Sequence, residues 1–321
     1  ILGKLRTGFS DMTMLDSISW MLVESKKLKS QIEEMYNVRA DLGEIVMQIK
    51  QFKQPRQLEP EIGTPILMAK GERAVTASEI WERLDKCAVE YKLDGLRIQA
   101  HINKEVTLFS RGLENVTSMY PDIVEGLKKQ IKKPCIVEGE MIATDEKGRF
   151  LPFQETVQRK RKYDILEMLE SVPLKIFLFD ILFIDGKSLL DVPNEKRREI
   201  LEKNIDQGST VKLMTREIAL SSETIEKFFQ KSLSDGTEGI FAKKLDGGYA
   251  AGSRDFNWIK YKKSYQKSAL ADTLDVVVMG YDEGQGKRSK FGIGDFLAGV
   301  YDPKNDKYFT VAKIGTGLTD K

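Results

Sequence analysis

Histidine is nearly missing. One residue in 321, His101, excludes any mechanism that needs two, including zinc chemistry of the HExxH type. Cysteine is almost as scarce. Cys87 and Cys135 are too few for a disulfide scaffold or a Cys-rich zinc centre, and they suit buried thiols in a reducing intracellular compartment. Long hydrophobic runs are absent: Val276–Met279, between Asp275 and Gly280, is strand-length and cannot span a bilayer. An excess of one charge is absent too. Lys and Arg total 51 against 49 Asp and Glu, so any nucleic-acid surface must be a local patch and not a polycation. No secretory signal precedes the first helical pattern, and Ile1 in place of Met leads us to expect a fragment. Hydrophobic residues make up 41% of the chain, enough for true cores, and its length allows two domains and part of a third.

Three textures follow one another. Leu15, Ile18 and Leu22 recur at helical spacing behind Thr13 as a candidate cap, Leu28, Ile32 and Met35 continue, and Asp41 caps Leu42, Ile45, Val46 and Ile49. Residues 1–53 are therefore an all-α segment, the end of a larger helical domain. Residues 54–62, with Pro55 and Pro60, form a linker. From Ala88 the period becomes two: Leu96, Ile98, Ala100 and Ile102 alternate with Arg97, Gln99, His101 and Asn103, which predicts a half-buried strand with His101 on its polar, exposed side. Further strands are expected at Val106–Phe109, Cys135–Ala143, Lys175–Ile184, Val211–Met214, Gly239–Lys243 and Asn257–Tyr261. Helices are expected near Asp122–Ile131, Asn194–Asn204 and Ser222–Leu233. Residues 63–267 are then an α+β domain with antiparallel sheets, without the regular alternation of a Rossmann fold. In residues 268–321, short strands at Leu274–Met279, Asp295–Tyr301 and Lys307–Ile314 resemble the first half of a small β-barrel, with too few strands to close it.

The chemistry concentrates in a few short stretches. In Lys92-Leu93-Asp94-Gly95-Leu96-Arg97, Asp94-Gly95 turns tightly between two strands and sets Lys92 at a pocket rim. A lysine attacks phosphorus only as the neutral amine, which nearby cations or desolvation favour. The alternative for these six residues alone is a charged surface hairpin. Glu138 and Glu140 share one strand face. Either suits a ribose hydroxyl or Mg²⁺, and the alternative is an exposed acidic edge. Phe177–Phe183 is an apolar strand holding one acid, Asp180; its aromatics are core, or one stacks on a purine. Glu238 opens Glu238–Lys243, and in Trp258–Lys262 two cations, Lys260 and Lys262, face one side and suit phosphate oxygens. Arg159–Lys162 and Lys287–Lys290 are basic clusters fit to track phosphates, or solvated turns.

In this order, these stretches resemble the motifs of the covalent nucleotidyltransferase superfamily: DNA ligases, RNA ligases and capping enzymes. Lys92–Arg97 is similar to motif I (KxDGxR), with Arg111 as the arginine that follows it. Glu138–Glu140 resembles motif III, Phe179–Gly186 motif IIIa, Glu238–Lys243 motif IV and Trp258–Lys262 motif V. Leu113–Thr117 and Val311–Gly317 further resemble ATP-dependent DNA ligases of the archaeal and eukaryotic replicative type. The resemblance implies a central adenylation domain and a C-terminal partial OB-fold. It implies Lys92 as the nucleophile that becomes adenylated from ATP, with Glu90, Arg97, Arg111, Glu140, Phe179, Arg254, Lys260 and Lys262 around the nucleotide. Glu140 and Glu238 would hold Mg²⁺, and Phe179 would stack on adenine. It implies nicked duplex DNA as the substrate, in replication, repair and recombination, and a monomer with a sliding clamp as a further partner. The place of action would be the cytoplasm in an archaeon or the nucleus in a eukaryote. Gly112 departs from the pattern where a second arginine is frequent, and no copy of the basic motif VI precedes Lys321. RNA ligation or capping, and a DNA-binding module with an inactive nucleotidyl fold, are the rival expectations.

Overall fold

The computed structural model describes residues 10–159, 172–206, 208–265, 276–284, 292–302 and 305–315. The chain divides into two compact units, 1–266 and 267–321. Among the described residues no helix is long and apolar enough to cross a membrane.

The first unit opens with three helices, α1 (Asp11–Val23), α2 (Lys29–Val38) and α3 (Leu42–Phe52). The cap of α1 is Ser10, whose hydroxyl accepts from Thr13 N–H at 3.4 Å, so Thr13 lies inside the helix it was expected to open. Asp41 caps α3 as the sequence suggests, accepting from Glu44 N–H at 3.0 Å. Leu15, Ile18, Ile32, Met35, Ile45 and Ile49 meet in a small core between the three.

Two sheets follow. In chain order the elements are β1 (Lys70–Ala74), α4 (Ala77–Leu84), β2 (Cys87–Lys92), β3 (Leu96–Ile102), β4 (Val106–Ser110), α5 (Pro121–Gln130), β5 (Cys135–Ala143), α6 (Phe153–Gln158), β6 (Leu174–Ile184) and β7 (Lys187–Ser188). Then come α7 (Asn194–Asn204), β8 (Val211–Leu213), β9 (Arg216–Ala219), α8 (Ser222–Ser234), β10 (Gly239–Lys244) and β11 (Arg254–Lys262). One sheet has the order β1-β11-β10-β2-β9, the other β4-β3-β5-β6-β7 with β8 alongside β6. The pairs are antiparallel except β1 with β11 and β6 with β8. Each sheet has its own core, one around Val89, Ile240 and Ile259, the other around Ala100, Val137 and Ile181.

This topology corrects the hairpin alternative for Lys92–Arg97. β2 and β3 do not pair; the turn at Leu93–Gly95 carries the chain from one sheet into the other. It also removes the acidic edge: β5 lies inside its sheet between β3 and β6, and Glu138 is fully buried. His101 is likewise not a surface residue. It is fully buried, because an extended strap of chain over residues 63–69 covers the polar face of β3. Burial of the imidazole pushes its pKa down to about 3, so it stays neutral at physiological pH. Cys87 and Cys135 are buried free thiols.

The second unit is a three-stranded antiparallel sheet of β12 (Val277–Asp282), β13 (Asp295–Asp302) and β14 (Lys307–Ile314). Its register slips after Val278 and after Ala298, which is where β-bulges bend a sheet. The start of the expected Leu274–Met279 strand lies outside the described residues.

Candidate active site

The deepest chemistry lies where the two sheets meet. A cavity of about 200 Å³ there is lined by Glu90 and Lys92 from β2, Arg97 from β3, Glu140 from β5 and Phe179 from β6. Phe241 and Lys243 from β10, Arg254, Trp258, Lys260 and Lys262 from β11, Arg111 beyond β4, and Ala69–Gly71 also line it. Nine of the ten residues expected from sequence thus share one cavity. The tenth, Glu238, is not among the lining residues but bonds directly to Lys92.

Lys92 ends β2 opposite Gly239, and its carbonyl accepts from Glu238 N–H at 3.0 Å. Its Nζ lies 2.6 Å from Glu238 Oε2, and the same oxygen is 2.6 Å from Lys262 Nζ. Burial raises the Glu238 pKa, but Lys92 and Lys262 outweigh it and hold the carboxyl below its ordinary range. Asp94 moves the other way, up, through burial and its contact with Glu238. Glu140 is pushed up to about 7 by burial, only partly offset by Lys92 and Arg97. The site therefore carries carboxyls of unlike proton affinity around one amine.

Two glycines allow this geometry. A Cβ at Gly95 would lie 2.2 Å from the Met141 carbonyl oxygen, and one at Gly239 2.1 Å from that of Tyr261. Backbone atoms cannot yield as a flexible side chain can. Gly95→Ala is expected to lower unfolding free energy by about 2 kcal/mol, measured by denaturant melts, and to impair Lys92 chemistry by displacing the turn.

Phe179 meets Trp258 edge to face at 5.9 Å between centroids. Lys243 was given no role by sequence. It is buried, 4.7 Å from the Phe179 ring centre, 4.3 Å from that of Trp258, and 2.6 Å from Glu90 Oε2. Beneath it Asp180, the acid inside the apolar strand, is held by Arg197 at 2.7 and 3.0 Å, a bidentate pair that explains how a charge sits in that core. Arg97 lies at the cavity edge but spends its guanidinium on Glu138 and the Ala69 carbonyl, each at 2.7 Å. Lys70, Arg111, Arg254, Lys260 and Lys262 supply the remaining cations. Burial, then Arg254 and Lys262, lowers the Lys260 pKa. Lys160–Lys162 and Lys287–Lys290, the bulk of the two basic clusters, fall outside the described residues.

The donor set suits a hard divalent cation in part. Among the described residues no three His, Cys, Asp or Glu side chains form a ready metal site. Glu140 and Glu238 flank Lys92, and Mg²⁺ is commonly held by one or two carboxylates completed by waters and substrate phosphates.

An amine bonded to a carboxylate, set in a cation-ringed cavity between two antiparallel sheets, is the arrangement of a covalent nucleotidyltransferase. The chain belongs to the ATP-dependent DNA ligase domain family, whose model matches residues 68–262. It is 46% identical, over its whole length and 56% of the relative's, to a probable DNA ligase of Dictyoglomus turgidum (strain DSM 6724 / Z-1310). It is 40% identical, over 99% of its length and 54% of the relative's, to a DNA ligase of Hyperthermus butylicus (strain DSM 5456 / JCM 9403 / PLM1-5). The chain thus spans about half the length of the curated relatives it matches. Among solved structures, a mycobacterial DNA ligase D complexed with ATP and MES shares the fold, with a TM-score of 0.50, 24% identity, and 79% of this chain covering 73% of that one.

Proposed function

We propose that the protein of which this chain is part seals 5′-phosphate/3′-hydroxyl nicks in duplex DNA, using ATP. The observation that carries this reading is the Lys92 amine 2.6 Å from Glu238, in a cavity that also presents Glu90, Phe179 and seven further cations. Lys92 gives its proton away and attacks the α-phosphorus of ATP, forming a phosphorus–nitrogen bond as the bond to pyrophosphate breaks. The lysine-bound AMP then passes to the 5′-phosphate of the nick, freeing Lys92. The 3′-hydroxyl attacks that activated phosphate and AMP leaves. Splitting one condensation into three transfers keeps each barrier low. Lys260, Lys262 and Arg254 orient phosphates, Phe179 offers a face to the base, and Glu90 and Glu140 bind the nucleoside. Glu140 and Glu238 would hold Mg²⁺, which neutralises phosphate charge and makes phosphorus more electrophilic.

The finer assignments belong to the same proposal. Residues 1–53 are the end of a helical DNA-binding domain, 54–62 a linker, 63–267 the adenylation domain and 268–321 part of an OB-fold. The enzyme is of the archaeal and eukaryotic replicative type, intracellular, and monomeric, with a sliding clamp as partner. The test offers singly nicked DNA, nicked RNA and a 5′-diphosphate RNA end, each with ATP and Mg²⁺. Sealing of DNA alone, weakening as salt rises, is the expected result. Preference for either RNA substrate would overturn it.

A further inference from the structure

The strap over residues 63–69 is held to β3 by side chains taken from every second position. His101 Nδ1 accepts from Gly63 N–H at 2.9 Å, so its proton sits on Nε2 and is donated to Gln99 Oε1, also at 2.9 Å. Gln99 Oε1 accepts in addition from Ile66 N–H at 2.8 Å. Its amide nitrogen donates to Ile66 O at 3.1 Å and to Glu138 Oε1 at 3.2 Å. All four hydrogen-bonding positions of the buried amide are used, which fixes its orientation. Tyr249 Oη accepts from Ala69 N–H at 2.9 Å and donates to Glu138 at 2.8 Å. None of Gln99, His101, Glu138 or Tyr249 lines the cavity around Lys92, yet the strap they grip ends in Ala69 and runs into Lys70 and Gly71 of β1, and these three do. Lys92 itself is anchored elsewhere, by the β2–β10 ladder and Glu238.

We propose that Gln99 is a positioning residue for nucleotide binding: with Tyr249 and His101 it fixes the strap, and through the strap the cavity wall at Ala69–Gly71. This rests on the reading of that cavity as the ATP site. Lys70 and Gly71 are also paired with Arg254 and Asp255 of β11, and Arg97 holds the Ala69 carbonyl, so the buried side chains act on the wall chiefly at Ala69. A nucleophile held independently of that wall separates affinity from chemistry. Loosening the strap weakens capture of ATP and leaves the attack by Lys92 on bound ATP largely intact.

The experiment is single-turnover adenylation of Lys92 against ATP concentration in the complete protein of which this chain is part, unaltered and as Gln99→Met and Tyr249→Phe, with melting temperatures for all three. Gln99→Met keeps side-chain length and removes every polar contact. Tyr249→Phe removes the bond from Ala69 N–H, the bond to Glu138 and a longer contact from Arg97 at 3.5 Å, and leaves Arg97 on the Ala69 carbonyl. Half-saturating ATP is expected to rise about tenfold in Gln99→Met and about threefold in Tyr249→Phe, with saturating rates within about twofold. A folded Gln99→Met with unchanged half-saturation overturns the proposal, as does a fall in saturating rate alone. Should Gln99→Met fail to fold, Tyr249→Phe decides by the same criterion. An unaltered complete protein that takes up no AMP fails at the ATP reading itself and takes this proposal with it, a result distinct from a variant that adenylates with normal affinity.

Discussion

Lys92→Arg is expected to leave a folded protein that takes up no AMP from ATP and Mg²⁺. The substitution keeps a cation beside Glu238, so the carboxylate bridged by Lys92 and Lys262 retains both partners in charge and the local electrostatics change little. What is lost is the proton equilibrium. A guanidinium stays protonated at any usable pH and has no free electron pair to give phosphorus, whereas an ammonium can be deprotonated. Denaturation melts should place the variant within about 1 kcal/mol of the parent, since the side chain is at a cavity rim and keeps its charge. Retention of labelled AMP by the arginine variant would move the nucleophile to another residue.

Glu140→Gln is expected to slow adenylation about a hundredfold and to stabilise the protein at the same time. Burial raises the Glu140 carboxyl from an ordinary 4.5 to about 7. The unfolded chain therefore releases this proton more readily than the folded one, and ionisation opposes folding as pH rises. The penalty is absent below the unfolded value, grows between about 4.5 and 7, and is complete above 7, where it amounts to at most about 3 kcal/mol. Glutamine removes it. The variant should match the parent near pH 4 and exceed it in melting temperature at pH 8. The parent's adenylation rate at limiting ATP should climb through pH 7 as the free carboxyl ionises. A variant less stable than the parent at pH 8, with an undiminished rate, would return Glu140 to a purely structural role.

Much of the site was legible because its residues lie at strand ends and turns, where period and glycine placement are informative. Alternation put Lys260 and Lys262 on one face of β11, and Asp94-Gly95 marked a turn that glycine alone permits. What alternation cannot say is which strands share a sheet. The exposed His101 and the acidic edge at Glu138 both failed for that reason: a polar face reads as solvated until another segment covers it. β1 escaped notice because Lys70, Glu72 and Arg73 give it no apolar period; it is specified by parallel pairing with β11. Lys243 had a signal that went unused, since period two places it with Phe241 on the face opposite Ile240 and Ala242. Lys243 sits beside two aromatic rings with Glu90 as counter-ion.

Lys92 as the covalent carrier of AMP is the centre of the proposed mechanism. The direct measurement is intact-mass spectrometry of the complete protein after incubation with ATP and Mg²⁺, followed by peptide mapping under conditions that preserve phosphoramidates. The expected result is one added AMP, located on the peptide that holds Lys92 and removed by pyrophosphate. An AMP adduct on any other residue, or none in the complete protein, would contradict it.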